Sequence, residues 1–340
     1  MNYQLTLVAS IAVLLSGCVS QTGEQPQSTV PALHGNDMAV SESSLMGAEV
    51  PVFCHLGAGA WHRVLSQSAQ GVVIDTRRLN FGTVWQAPAK LPTVAKSRQR
   101  NVRWHDLKVP LPDAEASGWG YAFTYRDHKN ETVDTPAFRC RQNGPVAGNS
   151  EAIPYRDHLD FELEIGLLMH RNAPDRFGYL LINDMTDRGV QVRTYDKKNP
   201  APGFARAKAF EGSMRAGPLL AVADASLWPK LAASLSLNGE VLQNLSASRC
   251  EFDPGRFHQD VFSDSSAGSW AVAGTGTSAG TLFRTPSTGE KTKTLVASGF
   301  SMNRAKEAWL ARLRFLEPGD EIVLRSPLLG TSKARVEAQR

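Results

Sequence analysis

Between Leu159 and Gly166 the chain reads Leu-Asp-Phe-Glu-Leu-Glu-Ile-Gly, with apolar Phe161, Leu163 and Ile165 alternating with acidic Glu162 and Glu164. Successive side chains of a strand point to opposite faces, so this period predicts a strand that collects two carboxylates on one side. Their alpha carbons stand roughly 6.5 to 7 Å apart, two strand rises, and both side chains can lean onto one cation. Like charges so placed repel unless something positive sits between them. Taken alone, the spacing also describes an ordinary two-faced strand with solvated glutamates. Downstream, the apolar run Tyr179-Leu180-Leu181-Ile182 ends in Asn183-Asp184. If that run is the neighbouring strand, Asp184 adds a third carboxylate. Three hard oxygen ligands without histidine or thiolate favour magnesium, manganese or calcium over zinc.

At 340 residues the chain has material for one large domain or two modest ones. Its 42% hydrophobic and 21% charged content is that of a soluble globular protein. The formal net charge of +4 comes with no long basic run, so no nucleic-acid partner is expected.

The amino terminus is different. Leu5 to Leu15 is an apolar run of secretory length, too short to span a bilayer, ending in Leu15-Ser16-Gly17-Cys18. This resembles a bacterial lipobox, which implies cleavage before Cys18 and lipid on its thiol, although Met1-Asn2-Tyr3-Gln4 lacks the usual lysine or arginine. Val19 after the cysteine leans toward the outer membrane, so the expectation is a lipid-anchored, periplasm-facing protein of the bacterial envelope. Residues 19–50, poor in large apolar side chains, read as a flexible tether. Cys54, Cys140 and Cys250 remain, enough for at most one intramolecular disulfide.

Residues 51–115 give short apolar runs such as Gly71-Val72-Val73-Ile74, a small strand-containing N-terminal region without recognisable chemistry. Ser234 to Val241 alternates into Asn238-Gly239, a hairpin signal. Pro318-Gly319-Asp320 predicts a turn into the strand-like Glu321-Ile322-Val323-Leu324. The glycines between Gly274 and Gly280 suit close backbone approach to a ligand, or a plain loop. Trp309 to Leu316 reads as either helix or strand.

Upstream of the carboxylate strand, Tyr125-Arg126-Asp127-His128-Lys129-Asn130-Glu131 places His128 and Glu131 three apart, one helical turn. A carboxylate beside an imidazole raises its basicity and fixes its tautomer, as a general base for water requires.

In order along the chain, these segments resemble the fumarylacetoacetate hydrolase family. Its members carry Tyr-x-x-His-x-x-Glu, then Asp-(Tyr/Phe)-Glu-x-Glu-(Leu/Ile), then Asn-Asp-x-(Thr/Ser)-x-Arg, found here at Tyr125–Glu131, Asp160–Ile165 and Asn183–Arg188. Gln191, Lys208-Ala209-Phe210, Gly217-Pro218, Asn238-Gly239-Glu240 with Gln243, and Gly276-Thr277 extend the match over residues 116–340.

The resemblance implies a mainly β fold, a mixed β-sandwich roll with few helices, and a homodimer as the expected assembly. It implies one divalent cation, Mg2+ before Mn2+ or Ca2+, on Glu162, Glu164 and Asp184, and an oxo-acid substrate. The activity implied is hydrolysis of a carbon–carbon bond in a 1,3-dicarbonyl or acylpyruvate-like acid. His128 and Glu131 would activate water and Lys208 neutralise the enolate leaving group, with Gln191 and Thr277 at the substrate. Arg188 is either a clamp for a substrate carboxylate or a structural partner of Asp187. Decarboxylation, hydration or tautomerisation of 2-oxo acids suits the same apparatus. Cys140 stands where members commonly carry a lysine, Gly189 where an aspartate often follows the arginine, and Ser278 where proline often follows Gly-Thr. With the export signal, these departures also admit a lipid-anchored binding protein without turnover.

Overall fold

The computed structural model describes residues 50–87, 92–112, 116–125, 137–142, 145–196, 198–277, 307, 310–311 and 314–338. Cys18, His128 and Glu131 lie outside the described residues.

The Leu163–His170 strand is the axis of the molecule. It runs antiparallel to Phe177–Asp184 on one side, with Glu164 opposite Ile182, and to Trp270–Gly274 on the other, with Gly166 opposite Gly274. The expected neighbour of the carboxylate strand is therefore the actual one. Outward from Phe177–Asp184 the sheet continues through Leu219–Ala223, Val52–His55, Trp61–Ser68, Gly71–Asp75 and Gln99–Arg103. Outward from Trp270–Gly274 it continues through Ala116–Ala122, joined in parallel, and Phe138–Gln142. Strands from the first half of the chain thus complete the sheet that carries the acidic residues.

A five-stranded sheet contains Glu240–Ser246, Ala232–Leu237, Glu321–Ser326, Gly330–Glu337 and Ile153–Pro154. Its first two strands form the hairpin foreseen at Asn238-Gly239, whose φ angles of 51° and 87° need the left-handed region that asparagine and glycine tolerate. The turn at Pro318-Gly319-Asp320 leads into Glu321–Ser326 as expected. Leu163, Ile165 and Leu167 share one core with Ala233, Leu235, Ile322 and Leu324, so the two sheets pack face to face. The fold is mainly β and mixed, matching the expectation.

Leu168, Leu180 and Ile182 belong to a second core with Phe53, Trp61 and Trp85. The central strands are consequently buried on both faces, where the alternating pattern alone allows a solvated one. Short helices follow the strands. Arg188–Thr194 starts at Asp187, whose carboxylate accepts a hydrogen bond from the Val190 amide. Ala201–Ala207 delivers Lys208 at its C-terminal end. Among the described residues no helix is long and apolar enough to cross a membrane.

Cys54, Cys140 and Cys250 are all free thiols, so the single disulfide admitted by the count is not formed. Burial pushes each thiol up to about 12, and they pack as small apolar side chains.

Candidate metal centre

Glu162 immediately precedes the Leu163–His170 strand, Glu164 is its second residue, and Asp184 ends the antiparallel neighbour. That register brings one oxygen from each of the three carboxylates within 4.8 Å of the others. Glu164 and Asp184 are fully buried, and Glu162 nearly so. The space occupied by Glu164 exists because Gly274, on the adjoining strand, has no side chain. A Cβ there would sit 2.0 Å from Glu164 Oε2.

Two cations enter the cluster. Lys208 Nζ donates to Glu162 Oε2 at 2.7 Å, Asp184 Oδ2 at 2.6 Å and Thr186 Oγ1 at 2.9 Å. Arg188 donates through Nε to Asp160 Oδ2 and through Nη2 to Glu162 Oε1, both at 2.8 Å, and through Nη1 to Gln191 Oε1 at 2.9 Å. Gln142 Nε2 donates to Asp184 Oδ1 at 2.8 Å. Glu164 is the exception: among the described residues no donor meets either of its carboxylate oxygens in full hydrogen-bond geometry, and only the Gly276 amide acts on it weakly.

Charge follows from this arrangement. Burial favours the neutral form of Glu162, but Lys208 and Arg188 outweigh it and hold its pKa down at about 2. Burial, with the charges of Asp184 and Glu162, drives Glu164 well above the ordinary glutamate range, against smaller opposing effects of Lys208 and the Gly276 amide. Asp184 is also raised, chiefly by burial, despite Lys208. The Lys208 ammonium, which burial disfavours, is held above the ordinary lysine value by Asp184, Glu162 and Glu164. Among the described residues, four carboxylates, those of Asp160, Glu162, Glu164 and Asp184, face two cations. With all four ionised, these described side chains carry two negative charges in excess. An ionised carboxylate without partners in an apolar interior is too costly to persist. A doubly charged cation matches both this excess and the weakly held Glu164, and the all-oxygen donor set suits a hard ion.

The structure thus brings together Glu162, Glu164, Asp184, Lys208, Arg188 and Gln191. The partner expected for Arg188 in Asp187 is corrected. Its guanidinium is fixed by Asp160, Glu162 and Gln191, while Asp187 caps a helix and lies 3.6 Å from Arg156. Thr277 is buried, its hydroxyl accepting from Gln243 Nε2 at 2.9 Å. Gln243 Oε1 in turn accepts from the Leu163 amide at 2.9 Å, so one glutamine links the acidic strand to the Gly276-Thr277 segment.

Asp160, Gln142, Thr186 and Gln243 join the site in the structure. Asp160, Thr186 and Gln243 fall inside the matched segments, so the sequence carries a signal for them. Gln142 carries none, because only the pairing of Ala116–Ala122 with Phe138–Gln142 brings it to Asp184. Cys140, at the lysine position, packs with Phe123 and Phe204, and its raised pKa keeps it an uncharged thiol. It replaces neither the charge nor the donors of a lysine.

The site offers three clustered carboxylate oxygens that could hold a metal ion, on a mainly β fold. The model of the fumarylacetoacetate (FAA) hydrolase C-terminal family matches residues 117–337, and the chain belongs to that family. No curated protein matches the sequence. Among solved structures, a probable 2-hydroxyhepta-2,4-diene-1,7-dioate isomerase from Mycobacterium abscessus is 18% identical with a TM-score of 0.56, over 86% of this chain and 99% of that one. A 2-hydroxyhepta-2,4-diene-1,7-dioate isomerase from Mycobacterium marinum is 15% identical with a TM-score of 0.53, over 86% and 99%. A fumarylacetoacetate hydrolase from Exiguobacterium antarcticum is 18% identical with a TM-score of 0.51, over 85% and 100%. These likenesses show a shared fold.

Proposed function

We propose that the protein is a divalent-metal-dependent hydrolase that cleaves a carbon–carbon bond in a 1,3-dicarbonyl or acylpyruvate-like acid. The carrying observation is the buried Glu162–Glu164–Asp184 cluster, whose three carboxylates can share one cation and in which Glu164 is the least compensated among the described residues. A cation held there, Mg2+ before Mn2+ or Ca2+, would supply Lewis-acid polarisation of the substrate carbonyl.

The chain's own residues supply the rest. Arg188 is committed to Asp160, Glu162 and Gln191, which makes it a positioning residue that fixes the Glu162 carboxylate rather than a substrate clamp. Gln191 accepts from Arg188 through Oε1, which leaves its amide group to donate to a substrate oxygen. Lys208 keeps its positive charge and faces the cluster, where it offsets negative charge developing on an enolate leaving group. His128, which Glu131 would orient, is assigned proton removal from the attacking water. Thr277, held by Gln243, is assigned a contact with the substrate.

Metal analysis of the purified protein, followed by product analysis with acylpyruvates, oxaloacetate and 2-hydroxydienoates, tests this reading. Cleavage of an acylpyruvate, lost in a Glu162→Ala/Glu164→Ala double variant, is the expected result. Decarboxylation, hydration or tautomerisation without hydrolytic cleavage replaces the hydrolase by a sister reaction, and tight ligand binding without turnover replaces it by a binding protein. Anchoring to the envelope through Cys18 is a separate proposal. Mass spectrometry of the mature protein should find that thiol carrying a lipid.

A further inference from the structure

Between residues 51 and 110 the chain carries nine lysines and arginines against two acidic residues, Asp75 and Asp106, whereas the rest of the sequence holds 28 against 31. The fold gathers most of this excess at one end of the large sheet, where Trp61–Ser68, Gly71–Asp75 and Gln99–Arg103 are the last three strands. Val64, Val72, Ile74 and Val102 point into the main core, so the residues that alternate with them, among them Arg63, Asp75 and Arg103, face outward. Asp75 is buried beneath its arginines. Arg98 Nη2 donates to its two oxygens at 2.8 and 2.7 Å and Arg77 lies 3.8 Å away, so one carboxylate holds two exposed guanidinium groups at the surface. Arg103 and His105 share the exposed Asp106, and Lys96 and Arg100 are exposed in the same segment.

Basic side chains on an edge strand deter edge-to-edge pairing, but a few charges suffice for that. An excess of seven positive charges within 60 residues, on a chain otherwise slightly negative, is a polarised surface that attracts polyanions. The described fold begins at residue 50, beside this surface: in Val52–His55, the first strand, Phe53 stands opposite Arg63. Residues 19–49 span at most about 110 Å when fully extended. A lipid at Cys18 would therefore tether the body without choosing which face meets the bilayer. The charge distribution makes that choice.

We infer that this basic end of the sheet docks on a bilayer surface of anionic phospholipid headgroups, with the Arg77–Arg98 pair, Arg100 and Arg103 meeting the phosphates. The choice of a bilayer rests on the proposed anchor at Cys18, to which the surface adds headgroup contacts. No residue of the acidic centre takes part, so the inference is independent of the proposed chemistry there.

Co-sedimentation with vesicles tests the inference, using residues 18–340 with Cys18→Ser, a chain that keeps the whole described fold. It takes no lipid at that thiol, so the result does not depend on whether Cys18 is modified, which mass spectrometry decides separately. The expected result is binding to phosphatidylcholine vesicles that contain phosphatidylglycerol, none to phosphatidylcholine alone, and weakening as salt rises. Arg100→Glu/Arg103→Glu should bind at least about tenfold more weakly. Lys230→Glu/Arg256→Glu, the same charge change at exposed positions outside these strands, should bind like the parent. The salt series needs only the parent chain, so it decides the matter even if a variant fails to fold. No binding to anionic vesicles, equal binding to both vesicle types, binding indifferent to salt, or an equal loss in the two double variants overturns the inference. Tighter binding to a single-stranded oligonucleotide overturns it in favour of a nucleic-acid surface.

Discussion

Burial raises the carboxyl pKa of Glu164 and Asp184 in the folded state, whereas the unfolded chain ionises them near the ordinary value of about 4. The folded state then binds more protons than the unfolded state, so the stability of the metal-free protein falls as pH rises above that value. Glu162, whose pKa is lowered, acts oppositely, and its contribution is lost only as pH falls toward about 2. Thermal melting in chelator should show this decline, Glu164→Gln should flatten it, and added Mg2+ or Mn2+ should remove it in the parent but not in the variant. Metal binding should also release protons, measurable as a buffer-dependent heat, because a divalent ion competes with protons for the same oxygens. A metal-free protein whose stability rises over that interval would contradict the assigned charge states.

Two elements make local demands that single substitutions expose. On the Trp270–Gly274 strand, Gly274→Ala places a methyl group 2.0 Å from Glu164 Oε2. The carboxylate must move, and the expected outcome is a loss of metal affinity of at least about tenfold by titration, an interaction loss near 1.4 kcal/mol. In the Asn238-Gly239 hairpin, nothing lies within 4 Å of a Cβ added at Gly239, so only its φ of 87° opposes a side chain. Gly239→Ala should cost about 1 kcal/mol in denaturant unfolding and leave metal affinity unchanged. Both elements were legible in the sequence: the Asn-Gly pair states its turn, and alternation states the acidic strand. The double-sided burial of that strand was not legible, because a period of two specifies which residues share a face but not what covers each face.

At the scale of the whole molecule, the Val52–His55 strand pairs with Leu219–Ala223, Cys54 opposite Leu219, and Phe53 and Trp61 fill the second core. A fragment beginning at residue 116 would expose that strand edge and empty part of that core. It should elute as aggregate in size-exclusion chromatography, whereas the chain from residue 50 onward should elute as a defined species. The sequence by itself determined the mainly β class, the hairpin and the three carboxylates, because these depend on local period, turn chemistry and motif order. Tertiary structure alone decided that Asp160 rather than Asp187 holds Arg188, that Gln142 reaches Asp184, that the cysteines stay apart, and that Arg215 is buried against the carbonyls of Gly148, Glu151 and Ala152. Each of those facts depends on which distant strands become neighbours, and a pairing between strands is a property of the assembled sheet that no single segment encodes.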